Sequence, residues 1–156
     1  MYFLNDRKIN YTIFDDILTL FPKFADTLKK GVTHLDKTIY GVGDVGDYDL
    51  NISLVSYSNE KECYLVSLFT DIEINNKLIK YPEIKIGLDL VNKRAEVLTY
   101  VSESYPYTTL NVYNKHEGKV YFNEMAHKDL SLFCCKWIEN YIEKRHSIKW
   151  GKIKTA

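Results

Sequence analysis

The chain is short of cysteine, proline, glycine and net charge, and each shortage removes a class of protein. Its three cysteines, Cys63, Cys134 and Cys135, are an odd number with two adjacent, a poor disulfide framework. A reducing, cytoplasmic compartment is the simplest expectation. Three prolines and seven glycines leave no linker and no low-complexity tract. The 21 basic and 21 acidic side chains cancel, so nothing draws the whole chain towards nucleic acid. No apolar run reaches the roughly 18 residues a membrane helix needs. The first residues, MYFLNDRKIN, turn polar at once and lack a signal-peptide core.

What is present describes one domain. At 156 residues the chain can bury about 70% of its unfolded surface, enough for a core without a metal or disulfide staple. A 46% hydrophobic content excludes disorder. Lysine, asparagine, isoleucine and tyrosine abound, which fits an AT-rich bacterial or phage genome. Lys144, Arg145, Lys149, Lys152 and Lys154 make the end basic, so the reading is an α+β domain over 1–145 and a basic tail over 146–156.

The first helix is expected from Thr12, an N-cap residue, to a stop at Gly31. Phe14, Ile17, Leu18, Phe21, Phe24, Ala25 and Leu28 form its helical stripe. Pro22 lacks an amide hydrogen and clashes with the Leu18 carbonyl, which predicts a kink or break. Beyond residue 37 the period becomes two. Leu50, Ile52 and Leu54, then Tyr64, Val66, Leu68, Ile72 and Ile74, then Ile84, Ile86, Leu88 and Leu90, then Leu110 and Val112, read as half-buried strands. The links Asn59-Glu60-Lys61, Asn75-Asn76, Asn92-Lys93 and Lys115 to Gly118 are too short for parallel crossovers. The last element is an amphipathic helix from about Glu124 to Lys144. Its apolar side is Leu130, Phe133, Cys134, Trp137, Ile138, Tyr141 and Ile142. The expected architecture is a two-layer α+β domain. An antiparallel meander of five to six strands carries both helices on one face.

The stretch Tyr81-Pro-Glu-Ile-Lys-Ile-Gly-Leu-Asp-Leu90, followed by Ala95-Glu-Val-Leu98, resembles the small bacterial YqiB-like proteins. Tyr105-Pro106, Met125, His127, Phe133 and Trp137 continue the pattern, so the resemblance covers about residues 80–142 plus the leading helix. That family is a domain of unknown function. The resemblance therefore implies an order of elements and no chemistry.

Several residues are candidates for function. Asp44, Asp47 and Asp49 gather carboxylates among glycines, the oxygen chemistry that holds Ca²⁺ or Mg²⁺. The loop lacks the closing glutamate of an EF-hand, and Asp and Gly also dominate ordinary turns. Glu124 and His127 have the spacing of a carboxylate–histidine metal motif, but no second such motif faces them, so capping and surface roles are expected. Cys134 and Cys135 lie about 11 Å along a helix from His127, too far for a thiol and its base. No catalytic motif appears, so no cofactor, no metal and no catalytic residue is expected. The 13 tyrosines are the unusual feature. If Leu110 and Val112 face the core, Tyr105, Tyr107 and Tyr113 stand on the opposite face of an edge strand that Pro106 suits. Tyrosine is a good binding residue, although strands favour it anyway. Lys149 and Trp150 in the basic tail are further candidates for partner contact. The expectation is a non-enzymatic protein acting through protein–protein contacts, one form being a phage or mobile-element inhibitor of a host defence machine. The alternatives are a nucleic-acid-binding accessory protein using the tail and tyrosines, and a metal-dependent enzyme at Asp44, Asp47 and Asp49.

Overall fold

Pro22 divides the N-terminal helical stripe in two. In the computed structural model, which describes residues 12–32, 39–43, 49–104, 107–147 and 152–155, α1 (Thr12–Leu20) is followed at once by α2 (Pro22–Lys30). Phe21 between them has φ −122° and ψ 68°, outside the helical region. Pro22 then occupies the first position of α2, where a missing amide hydrogen costs nothing. Both helices still bury one continuous stripe: Ile13, Phe14, Ile17, Leu20, Phe21, Phe24, Ala25 and Leu28. Gly31, at φ 87°, ends α2. Its exit is held by Asn59, whose side-chain oxygen accepts the Val32 amide at 3.1 Å and whose amide donates to the Val32 carbonyl.

The sheet is antiparallel as the short links predict, and residues 39–43 and 94–102, which no alternating run marks, also form strands. Strands β1 (Ile39–Gly43), β2 (Leu50–Ser58), β3 (Cys63–Ile74), β4 (Lys77–Asp89), β5 (Arg94–Ser102) and β6 (Thr108–Asn111) pair in sequence order, every pair antiparallel. Their turns use the left-handed conformations that short hairpins require. Asn75 and Asn76 have φ of 53° and 60°, the pattern of a two-residue turn whose twist matches its strands. Two further strands, β7 (Tyr113–His116) and β8 (Lys119–Phe122), form a separate hairpin. Helix α3 (Glu124–Ser147) follows, and β9 (Lys152–Thr155) returns to pair antiparallel with β1. The stretch read as a basic tail thus begins inside α3 and includes a strand that extends the sheet.

Leu110 and Val112 do not continue one strand with one buried face. The chain bends at Val112, whose amide donates to the Leu98 carbonyl at 2.9 Å and whose carbonyl accepts the Asn123 amide at 2.7 Å. Val112 is fully buried, while Leu110 remains 42% exposed at the sheet edge.

Register sets the core. Across the sheet, Ile52 lies opposite Leu68, Leu68 opposite Ile84, and Ile84 opposite Tyr100. The next row runs Leu54, Val66, Ile86 and Val97. Helices α1 and α3 pack together and against β5. The face of α3 carrying Leu130, Cys134, Ile138 and Tyr141 joins the α1 and α2 stripe over those rows. This is the expected two-layer α+β arrangement.

Two features interrupt the regular ladder. A register shift between Phe69 and Asp71 lets Thr70 face Tyr81 and Pro82, and the Thr70 hydroxyl donates to the Tyr81 carbonyl. Beyond it, residues 71–81 project as a two-stranded arm past the ends of β2 and β5. At the opposite end of β4, Asp89 is almost fully buried and accepts four hydrogen bonds. They come from the amides of Val91 (3.1 Å) and Asn92 (3.2 Å), Asn92 Nδ2 (2.8 Å) and Arg94 Nε (3.0 Å). Burial pushes its carboxyl upwards, but the bonds from Asn92 and Arg94 outweigh burial and hold it below the usual carboxylate range.

Candidate interaction surface

Helix α3 is apolar on more than one side. Its inner face is buried as expected. With 100° per residue, Met125, Asp129, Leu132 and Lys136 fall on one line along the opposite side. Met125 is 76% exposed and Leu132 51%. Phe133 was expected within the buried stripe. It stands instead at the margin, 42% exposed, because successive residues on a helix turn by 100° and Cys134 takes the central position.

From Phe133 the apolar surface crosses onto the sheet. Its ring meets Tyr100 of β5 edge-on, with centroids 5.8 Å apart and planes at 90°, and lies 5.9 Å from Trp137. Tyr100 is directly opposite Leu110 of β6 in the register. Burial, then the neighbouring Tyr81, raises the Tyr100 phenol, so it keeps its proton and adds no charge here. Strand β6 is the edge of the sheet, and among the described residues no strand pairs with its outer side. Its sequence, Thr-Thr-Leu-Asn, carries no charge to discourage a further strand. Tyr107, just before it, is 77% exposed. Met125, Leu132, Phe133, Tyr100 and Leu110 therefore trace an apolar path from the outer face of α3 to an open sheet edge.

The candidates named from sequence separate on this surface. Tyr107 is exposed beside β6. Tyr113 is corrected: it is half-buried against the core, its ring 5.3 Å from Phe122, and its hydroxyl donates to Glu96 Oε1. The bend at Val112 reverses the alternation and turns Tyr113 inwards. Tyr105, Lys149 and Trp150 lie outside the described residues, as do Asp44 and Asp47. Asp49 is half-buried at the approach to β2, and its carbonyl accepts Asn51 Nδ2 at 3.2 Å. Among the described residues, no three His, Cys, Asp or Glu side chains stand together as metal ligands.

His127, read as a capping or surface residue, is 5% exposed and its ring lies 4.9 Å from that of Phe122. The β7–β8 hairpin covers it. Asn123 caps the helix instead, its Oδ1 accepting the Ala126 amide at 3.0 Å. Asparagine immediately before a helical stripe is a sequence signal for that role. Met125, Leu132 and Leu110 were not identified as surface residues, because hydrophobicity alone gives no reason to place them outside a core.

Two further groups of polar side chains among the described residues lie within the fold. Burial, and then Cys135, raise the Cys134 thiol far above its ordinary range. Ser67 Oγ donates to Glu83 Oε2 at 2.6 Å, and Lys80 Nζ lies 3.1 Å from the same oxygen. Burial pushes Glu83 up, but these two bonds outweigh it and leave its carboxyl below the usual range. Ser67 is only 2% exposed. A cleft of about 430 Å³ has Phe14, Leu18 and Leu90 in its walls and balanced charges from Asp15, Lys29, Glu62 and Lys93. It favours neither anions nor cations. No helix among the described residues is long and apolar enough to cross a membrane. The chain matches no protein-family model, no curated protein and no solved structure.

Proposed function

We propose that this is a non-enzymatic binding protein whose contacts are with other proteins. The observation that carries the reading is the continuity of the apolar path from Leu132 and Phe133 across Tyr100 to Leu110, beside an uncharged sheet edge. Aromatic anchors flanked by polar residues are the usual makeup of interface hot spots. An open edge adds main-chain donors and acceptors for an extended partner. Inhibition of a host machine by a phage or mobile-element protein is one form of this activity, with the YqiB-like order of elements as its scaffold.

The test is capture from a nuclease-treated lysate of the source cells, comparing the natural chain with Phe133→Asp, Leu110→Asp and Tyr107→Ala. A protein retained by the natural chain should bind Phe133→Asp about 30-fold more weakly, the effect of losing a hot spot of about 2 kcal/mol. Leu110→Asp and Tyr107→Ala should weaken it less, with melting temperatures close to the natural chain's. Equal capture by all variants would refute the surface. A signal that nuclease removes would transfer the reading to nucleic acid.

A further inference from the structure

Resting on that reading, we infer that the surface takes a second copy of this chain, α3 packing antiparallel on the partner's α3 about a two-fold axis between Leu132 and Phe133. The charge order on the exposed side carries the inference. Asp129 and Lys136 are seven residues apart and lie on either side of Leu132 and Phe133. They are about 10 Å apart along the axis, beyond reach of each other. The helix positions three and four residues from Asp129 are Met125, Ala126, Leu132 and Phe133, none of them basic, and Glu139, three residues beyond Lys136, forms no ion pair with it but accepts from the Cys135 thiol at 3.3 Å. Among the described residues, neither Asp129 nor Lys136 takes part in an ion pair.

A two-fold axis at that point resolves both charges at once. Asp129 meets the partner's Lys136, Lys136 meets the partner's Asp129, and Leu132 meets the partner's Phe133. The patch is thus self-complementary, as an isologous contact demands. A parallel arrangement in register would set Asp129 against Asp129 and Lys136 against Lys136, which disfavours it. Zero formal net charge means that two copies approach without long-range repulsion.

The experiment is sedimentation of the full chain at rising concentration, with charge-reversal variants. The natural chain should form a dimer. Asp129→Lys alone and Lys136→Asp alone each set like charges face to face twice per dimer and should weaken association at least about tenfold. The double variant should recover it, because both pairs are rebuilt with inverted sign. Both positions are exposed, so circular dichroism should show every variant folded. A natural chain that stays monomeric overturns the inference. So does a dimer that ignores both single reversals, or single variants that the double variant does not rescue. The binding reading is judged separately, by whether Phe133→Asp releases a captured protein.

Discussion

Replacing Asp89 with alanine should lower the unfolding free energy by about 3 kcal/mol, the usual cost of removing one partner from a buried ion pair. The side chain closes the β4–β5 turn by accepting from Val91, Asn92 and Arg94. Alanine would remove this acceptor from the Arg94 guanidinium and from two turn amides. Urea denaturation should show a midpoint lower by about 1–2 M for a typical dependence on denaturant. The effect also has a pH signature. The folded carboxyl titrates below its ordinary value of 3.8. The charge therefore contributes stability above that value, and the contribution is lost as pH falls through the lower, folded value. The gap between the natural chain and Asp89→Asn should be widest near neutrality and close below about pH 4. A gap that stays constant into acid would show that the carboxylate charge has no part in holding the turn.

Ile138→Ala should cost about 2–5 kcal/mol, whereas Leu132→Ala, six residues earlier on the same helix, should cost under about 0.5 kcal/mol. Ile138 is fully buried in the cluster that joins α1, α3 and the sheet. Its truncation leaves a cavity that close-packed neighbours fill only in part. Leu132 is 51% exposed and should instead reveal itself in association, with a dimer weakened and a melting temperature unchanged. Calorimetry and sedimentation on the same two variants separate the faces of α3. Equal losses of stability would mean that Leu132 belongs to the core, removing the basis of the proposed interface.

Local chemistry in the sequence foretold much of this fold. Pro22 marked a kink or break, because a residue without an amide hydrogen forfeits a helical bond and clashes with the preceding turn. Asn75-Asn76 marked a hairpin, because asparagine tolerates the left-handed backbone a two-residue turn needs. Tyr107 beside an open edge was legible for the same reason that Leu110 was misread. Alternation shows which residues share a face, but not which face is covered or where the strand stops. The bend at Val112 is fixed by hydrogen bonds to Leu98 and Asn123, distant in sequence, and it turns Tyr113 from surface to core. His127 looked like a surface residue for a similar reason, since its cover is Phe122, brought over it by a separate hairpin. On α3, Leu132 and Phe133 had no local sign to distinguish them from core leucine and phenylalanine. Only the position of the sheet decides which helix side is spare.

The placement of α1 against α3 has a consequence for synthesis. The two helices pack together although about a hundred residues separate them in the chain. At a synthesis rate of about 5–20 residues per second, Ile13, Phe14 and Ile17 leave the ribosome roughly 5–20 s before the helix that helps to cover them exists. The hairpins between can close as they emerge, since each joins neighbours in sequence. The sheet can therefore begin to cover the stripe of α1 and α2 as its strands emerge, while the side of α1 that packs on α3 stays open until α3 is complete.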